Sequence, residues 1–185
     1  MVTLVSLWLA ILLSAVLVFA ASSIIHMCLP IHKSDFAKLP NEEKVLEAMR
    51  AHGLKPGAYM FPCAGSMKDM ATPEMIAKLN LGPVGHMTVM PNGPFNMGKS
   101  LVQWFLFSVL ISIVTAYVGA RALAAGASLG SVFCVAMPVS TMGYAFTHII
   151  NSIWKAQSWN VTVKFIFDGI VYGLVTALTF GWLWP

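Results

Sequence analysis

Four long apolar stretches dominate the chain, at about residues 2–25, 100–120, 130–154 and 161–184. Each has the roughly 20 residues needed to cross ~30 Å of hydrocarbon at ~1.5 Å of rise per residue. Each is expected to be helical, because lipid offers no partner to an open backbone N–H or C=O. Residues 26–99 follow a shorter rhythm. Val45, Leu46 and Met49 form an apolar stripe behind Asn41-Glu42-Glu43, and Gly53 closes it. That pattern predicts a helix with Asn41 as N-cap. Thr72-Pro73-Glu74 opens a second helix, with Thr72 as N-cap, that ends near Gly82-Pro83. Ala58–Phe61 and His86–Met90 read as short strands between proline- and glycine-rich turns. The expected fold class is an all-α membrane protein: four transmembrane helices with a small α+β extramembrane domain between helices 1 and 2. About 70 residues is marginal for an independent core. The domain is therefore expected to lean on the bilayer surface or on a partner.

Composition supports this division. The chain has 185 residues, 58% apolar and 10% charged, where a soluble domain carries about 25% charged side chains. Of its 18 charged residues, 14 lie in 33–99. None falls in 1–25, in 100–120, or between Arg121 and Lys155, and after Lys164 only Asp168 is charged. The small residues around Val18–Ser23 would suit signal-peptide cleavage. However, the apolar run is longer than a ~7–15-residue signal core, and no Lys or Arg precedes it. Retention as a span is therefore expected. Trp104, Trp154 and Trp159 fall on the side of the 26–99 domain, and Trp8, Trp182 and Trp184 on the other, as in two aromatic belts. Lys33, Lys38, Lys99, Lys155 and Lys164 flank the spans on the domain side, against Arg121 alone opposite. The positive-inside rule then places the domain in the cytoplasm and both termini outside the cell membrane.

A net charge of +4 beside bilayer segments fits contact with anionic headgroups. No basic run or base-stacking motif points to nucleic acid. The expected partners are the lipid bilayer and another membrane protein or a second copy of the chain. Cys28, Cys63 and Cys134 form no CxxC, and Cys28 and Cys63 would pair only in an oxidising compartment.

His32-Lys33-Ser34-Asp35, Pro56-Gly57-Ala58-Tyr59 and the ending Phe180-Gly181-Trp182-Leu183-Trp184-Pro185 resemble a family of small bacterial multipass membrane proteins. The likeness covers most of the chain. That family has no assigned activity, so the resemblance implies a bacterial inner-membrane setting and contributes no site residues.

Two stripes of small residues recur every fourth position: Gly169, Gly173, Ala177 and Gly181 in the last span, and Ser108, Ser112, Ala116 and Ala120 in the second. Such stripes let helices approach closely, within the bundle or against another subunit. Pro138 is expected to kink or loosen the third span. An intramembrane polar cluster is expected from Tyr144, His148 and Asn151 on one helical face and from Lys164 and Asp168 one turn apart. At ~1.5 Å per residue, His148 lies ~27 Å and Asp168 ~24 Å from the far face, so both sit near the domain side. The structural reading pairs Asp168 with Lys164 or His148. The functional reading is a proton or ion path, but few polar groups continue toward the far face.

His26 and His148 end neighbouring spans on one side, the arrangement that ligates haem. A soft-metal set for copper is offered by His26, Cys28, His32, Cys63, His86 and Met87, although methionine also fills apolar gaps without any metal. His32-Lys33-Ser34-Asp35 contains a base, a hydroxyl and a carboxylate, but adjacency alone builds no triad, and Ser34 and Asp35 more simply cap a turn. The expected function is a non-catalytic accessory, structural or assembly subunit of a membrane complex. A copper- or haem-handling protein is the second reading and a small proton-linked transporter the third.

Overall fold

A computed structural model describes residues 2–185. The chain divides into a helical unit, residues 2–35, 95–153 and 157–185, and a smaller unit, 36–94 with 154–156. Residues 26–35 thus group with the helices.

In the helical unit, α1 (Trp8–Ser23) is followed by one π turn (Ile24–Cys28) and a 3₁₀ turn (Pro30–His32). The runs Val5–Cys28, Met97–Ala122, Leu129–Lys155 and Trp159–Trp182 are each long and apolar enough to cross a membrane. Their surfaces are inverted relative to a water-soluble bundle. Leu12, Val16, Leu106, Leu110, Leu174 and Leu178 are exposed, while Ser14, Ser108, Ser112, Ser140, Thr162 and Thr176 are buried. The buried hydroxyls donate to carbonyls one turn back: Ser112 to Ser108, Ser140 to Ala136 and Thr176 to Tyr172. A polar side chain satisfied by its own helix can face a neighbouring helix at little cost. Ser14 Oγ lies 2.9 Å from Ser112 Oγ, and Trp104 Nε1 donates to Ser22 Oγ at 2.8 Å. These bonds join α1 to the helix of residues 97–122.

The smaller unit, taken in chain order, comprises α2 (Glu42–Ala51), β1 (Gly57–Phe61), α3 (Pro73–Leu81) and β2 (Gly85–Val89). The chain continues with α4 (Met97–Ala122), α5 (Leu129–Ala145), α6 (Thr147–Lys155) and α7 (Trp159–Trp182), all in the helical unit except the last two residues of α6. The small-residue stripe of α7 faces α5. A Cβ on Gly169 would come within 2.8 Å of the Ala145 backbone, and one on Gly173 would strike Thr141. Gly181 faces Leu129, and Ala177 is fully buried. On α4, Ser108, Ser112 and Ala116 are buried and Ala120 packs at the edge of the same core. The third span runs through Pro138 and breaks at Phe146, two turns later.

In the smaller unit, β1 and β2 pair antiparallel, with register Gly57↔Val89 to Phe61↔Gly85. Thr72 Oγ1 accepts from Met75 N as an N-cap. Asn41 departs from the expected cap. Its backbone is left-handed (φ 49°) and its side chain makes no capping bond, so only its carbonyl engages the helix, accepting from Lys44 and Val45. Gly53, at φ +64°, supplies the conformation that closes α2. Met75 is the one buried apolar side chain among the described residues of this unit.

Candidate functional site

The polar centre of the molecule is assembled by the turn after α1. The π turn carries His26, and π turns recur at functional sites because the extra residue re-aims side chains. Leu29 is extended, and Pro30 opens the 3₁₀ turn that carries His32. Asp35 N then donates to His32 O at 3.2 Å. Against this turn, α7 presents Lys164, Phe165 and Asp168.

The contacts form a chain. His32 Nδ1 lies 2.6 Å from Asp35 Oδ2, and Lys164 Nζ donates to Asp35 Oδ1 at 2.7 Å and to Ser34 Oγ at 3.0 Å. Burial works against ionisation of Asp35, but the hydrogen bonds from Lys164 and His32 outweigh it and hold the carboxyl below the usual carboxylate range. An ionised Asp35 only accepts hydrogen bonds, so Nδ1 of His32 carries the proton. The other ring nitrogen, Nε2, points away from Asp35.

That nitrogen faces Asp168. His32 Nε2 lies 2.9 Å from Asp168 Oδ2, and His26 Nε2 lies 3.6 Å from the same oxygen. The Asp168 side chain is only 2% exposed, while His26 is 38% exposed. Yet neither Asp168 oxygen, nor His32 Nε2, has a hydrogen-bond partner among the described residues. An unpartnered buried carboxylate is costly. Imidazole nitrogens and a carboxylate oxygen so placed are donor types that could hold a cation. Ligands bound ~2.0–2.2 Å from a common tetrahedral metal ion stand ~3.3–3.6 Å apart, so the 3.6 Å spacing already matches and the 2.9 Å one would widen on binding. The ligand atoms of His26, His32 and Asp168 all lie within 4.8 Å of one another.

The structure redistributes the residues singled out from the sequence. Lys164 does not pair with Asp168. Lys before Asp is the weaker order for an i, i+4 pair, and the 30–35 turn brings Asp35 to Lys164 instead. Nor does His148 bond Asp168; its ring stacks on Phe165 at 4.4 Å. The helix is interrupted at Phe146, between Tyr144 and the segment that carries His148 and Asn151. Tyr144 donates to Ser108 O at 3.4 Å within an aromatic group that includes Trp104, Phe107 and Tyr172. The Asn151 carbonyl accepts from Gln157 N. Of the two histidines weighed for haem, His26 packs on the His32 ring, 4.3 Å between centroids, and His148 on Phe165.

Of the copper set, only His26 and His32 converge. Cys28 is exposed and joins no such group among the described residues. Cys63, His86 and Met87 belong to the other unit. There His86 pairs in register with Met60, and Met87 lines an apolar groove of about 420 Å³ beside α2. Asp35 is not a turn cap as its position suggested; its carboxylate bridges His32 and Lys164. Gly126-Ala127-Ser128-Leu129-Gly130 has G-x-S-x-G spacing, but Ser128 caps α5 between two helices, with its Oγ accepting from Ser131 N. A nucleophile elbow needs a strand-to-helix turn. Comparison with known proteins finds no matching family model, no similar curated protein and no similar solved structure.

Proposed function

We propose that the chain is a multipass membrane protein that handles a metal ion at one end of its four-helix bundle, with His26, His32 and Asp168 as ligands. The observation that carries this reading is the convergence of His32 Nε2 and His26 Nε2, at 2.9 and 3.6 Å, on one oxygen of the buried Asp168 carboxylate. Four apolar helices with polar interiors and apolar exteriors support the membrane setting. The lysine bias along the chain supports a cytoplasmic 36–94 segment, with both termini outside.

Compared with a contact subunit, ion handling has the more specific support. The small-residue stripes that would have served docking are occupied inside the bundle, at Ala145, Thr141 and Ser14. The donor set also favours nitrogen and oxygen over the sulfur ligands expected of a copper protein.

The test is metal analysis of full-length protein purified in mild detergent, followed by zinc titration of the chelator-treated sample. We expect close to one tightly bound ion per chain in the wild type, and none in a His32→Ala/Asp168→Asn double variant that still folds. No uptake by folded wild-type protein would remove the proposal. Reporter fusions at both ends should report one common face, and opposite faces would refute the four-span topology.

A further inference from the structure

We infer that this centre is a partly open site for a divalent first-row ion of the zinc type, and that Asp35, anchored by Lys164, is the positioning residue that aims His32 at the ion. The inference rests on the metal-handling reading above and specifies its ligand class and geometry.

The ion class follows from the donors. Two imidazoles and one carboxylate suit zinc, iron(II), cobalt(II) and nickel(II), whereas copper(I) selects thiolate and thioether. Three protein ligands are one fewer than the four that close a structural zinc site, so at least one coordination position falls to water or an exogenous ligand. That position is accessible from outside the protein. His26 is the exposed ligand of the three, while His32 and Asp168 have side chains 11% and 2% exposed. Two ligands are thus fixed within the bundle and the third stands at its edge, where an ion or a small ligand can enter.

The role of Asp35 follows from the chain of contacts Lys164–Asp35–His32. A metal-bound imidazole commonly donates its second ring N–H to a carboxylate, which fixes the tautomer and the ring plane and raises the basicity of the ligating nitrogen. Asp35 Oδ2, 2.6 Å from His32 Nδ1, occupies that position. Lys164, at 2.7 Å from the other oxygen, holds the carboxylate in place. Lys164 is therefore committed to Asp35 and does not neutralise Asp168, which leaves the charge of Asp168 for the ion.

Cobalt(II) is the probe, because its visible d–d bands report both coordination and ligand type. Chelator-treated full-length protein in detergent is titrated with cobalt(II), and azide is then added. The wild type should develop d–d absorption without an intense sulfur-to-cobalt band, and azide should shift the spectrum. Asp35→Asn should weaken cobalt affinity ~10–100-fold, with an altered band shape, and Asp35→Glu should recover part of the loss. Three results would each overturn the inference while leaving metal handling intact: a sulfur-to-cobalt band, a spectrum unmoved by azide, or wild-type cobalt affinity in folded Asp35→Asn. Complete absence of cobalt and zinc binding in the folded wild type would instead remove the metal-handling reading itself. Should Asp35→Asn fail to fold, Lys164→Met answers the same question. It should weaken cobalt affinity by a smaller factor, and unchanged affinity would count against the positioning role.

Discussion

The two units of this protein carry similar inventories of reactive side chains and use them differently. Residues 36–94 contain Cys63, His86 and several methionines, yet these remain dispersed along one hairpin and its neighbouring helices, and only Met75 is buried. The helical unit has fewer charged side chains but buries many polar ones and brings residues more than 130 positions apart into one cluster. A ligand site depends on burial and convergence more than on composition. A metal-ligating residue type on an exposed strand is held by nothing, whereas Asp168 is held where water cannot compensate its charge.

Substitutions should separate the two units, and the largest effect should come from the close approach of α5 and α7. Gly169→Leu places atoms into the Ala145 backbone, which cannot move as a flexible side chain would. We expect a loss of about 3 kcal/mol, read as thermal unfolding in detergent. A variant as stable as wild type would show that these helices do not pack as described.

Next is Asp168→Leu, which should raise the stability of the metal-free protein by ~1–3 kcal/mol, because it removes an unpartnered buried carboxylate. The same variant should lose the rise in Tm that zinc gives the wild type by mass action. A metal-free variant less stable than wild type would mean that Asp168 is internally satisfied.

Ser112→Ala, which deletes the hydroxyl partner of Ser14, should cost ~0.5–1 kcal/mol. The smallest effect belongs to the other unit. Cys63→Ser combined with His86→Ala should change stability by no more than ~0.5 kcal/mol and leave zinc affinity unaltered. A fall in affinity would bring that unit into the site.

Much of this fold was legible in the sequence because its signals are local. Span length, the Thr72 cap, Gly53 and the two strands each depend on a handful of neighbouring residues. The Asn41 cap was misread because its left-handed backbone is not visible in residue type. The site was legible only in fragments. His26 and His32 stood out as ligand-type residues and Asp168 as an intramembrane charge, but they were assigned to separate clusters. Joining them requires the turn at 24–32, whose π geometry and extended Leu29 have no periodic signature. Asp35 had a simpler local explanation as a turn cap, and only the position of Lys164 across the bundle assigns it to His32.

The most direct test of the metal centre is X-ray absorption at the zinc edge of zinc-loaded full-length protein, beside the folded His26→Ala and His32→Ala variants. The wild type should give a first shell of nitrogen and oxygen at ~2.0–2.2 Å, with outer-shell scattering from two imidazoles, and each variant should lose one of them. A sulfur shell at ~2.3 Å, or imidazole scattering unchanged in both variants, would contradict it.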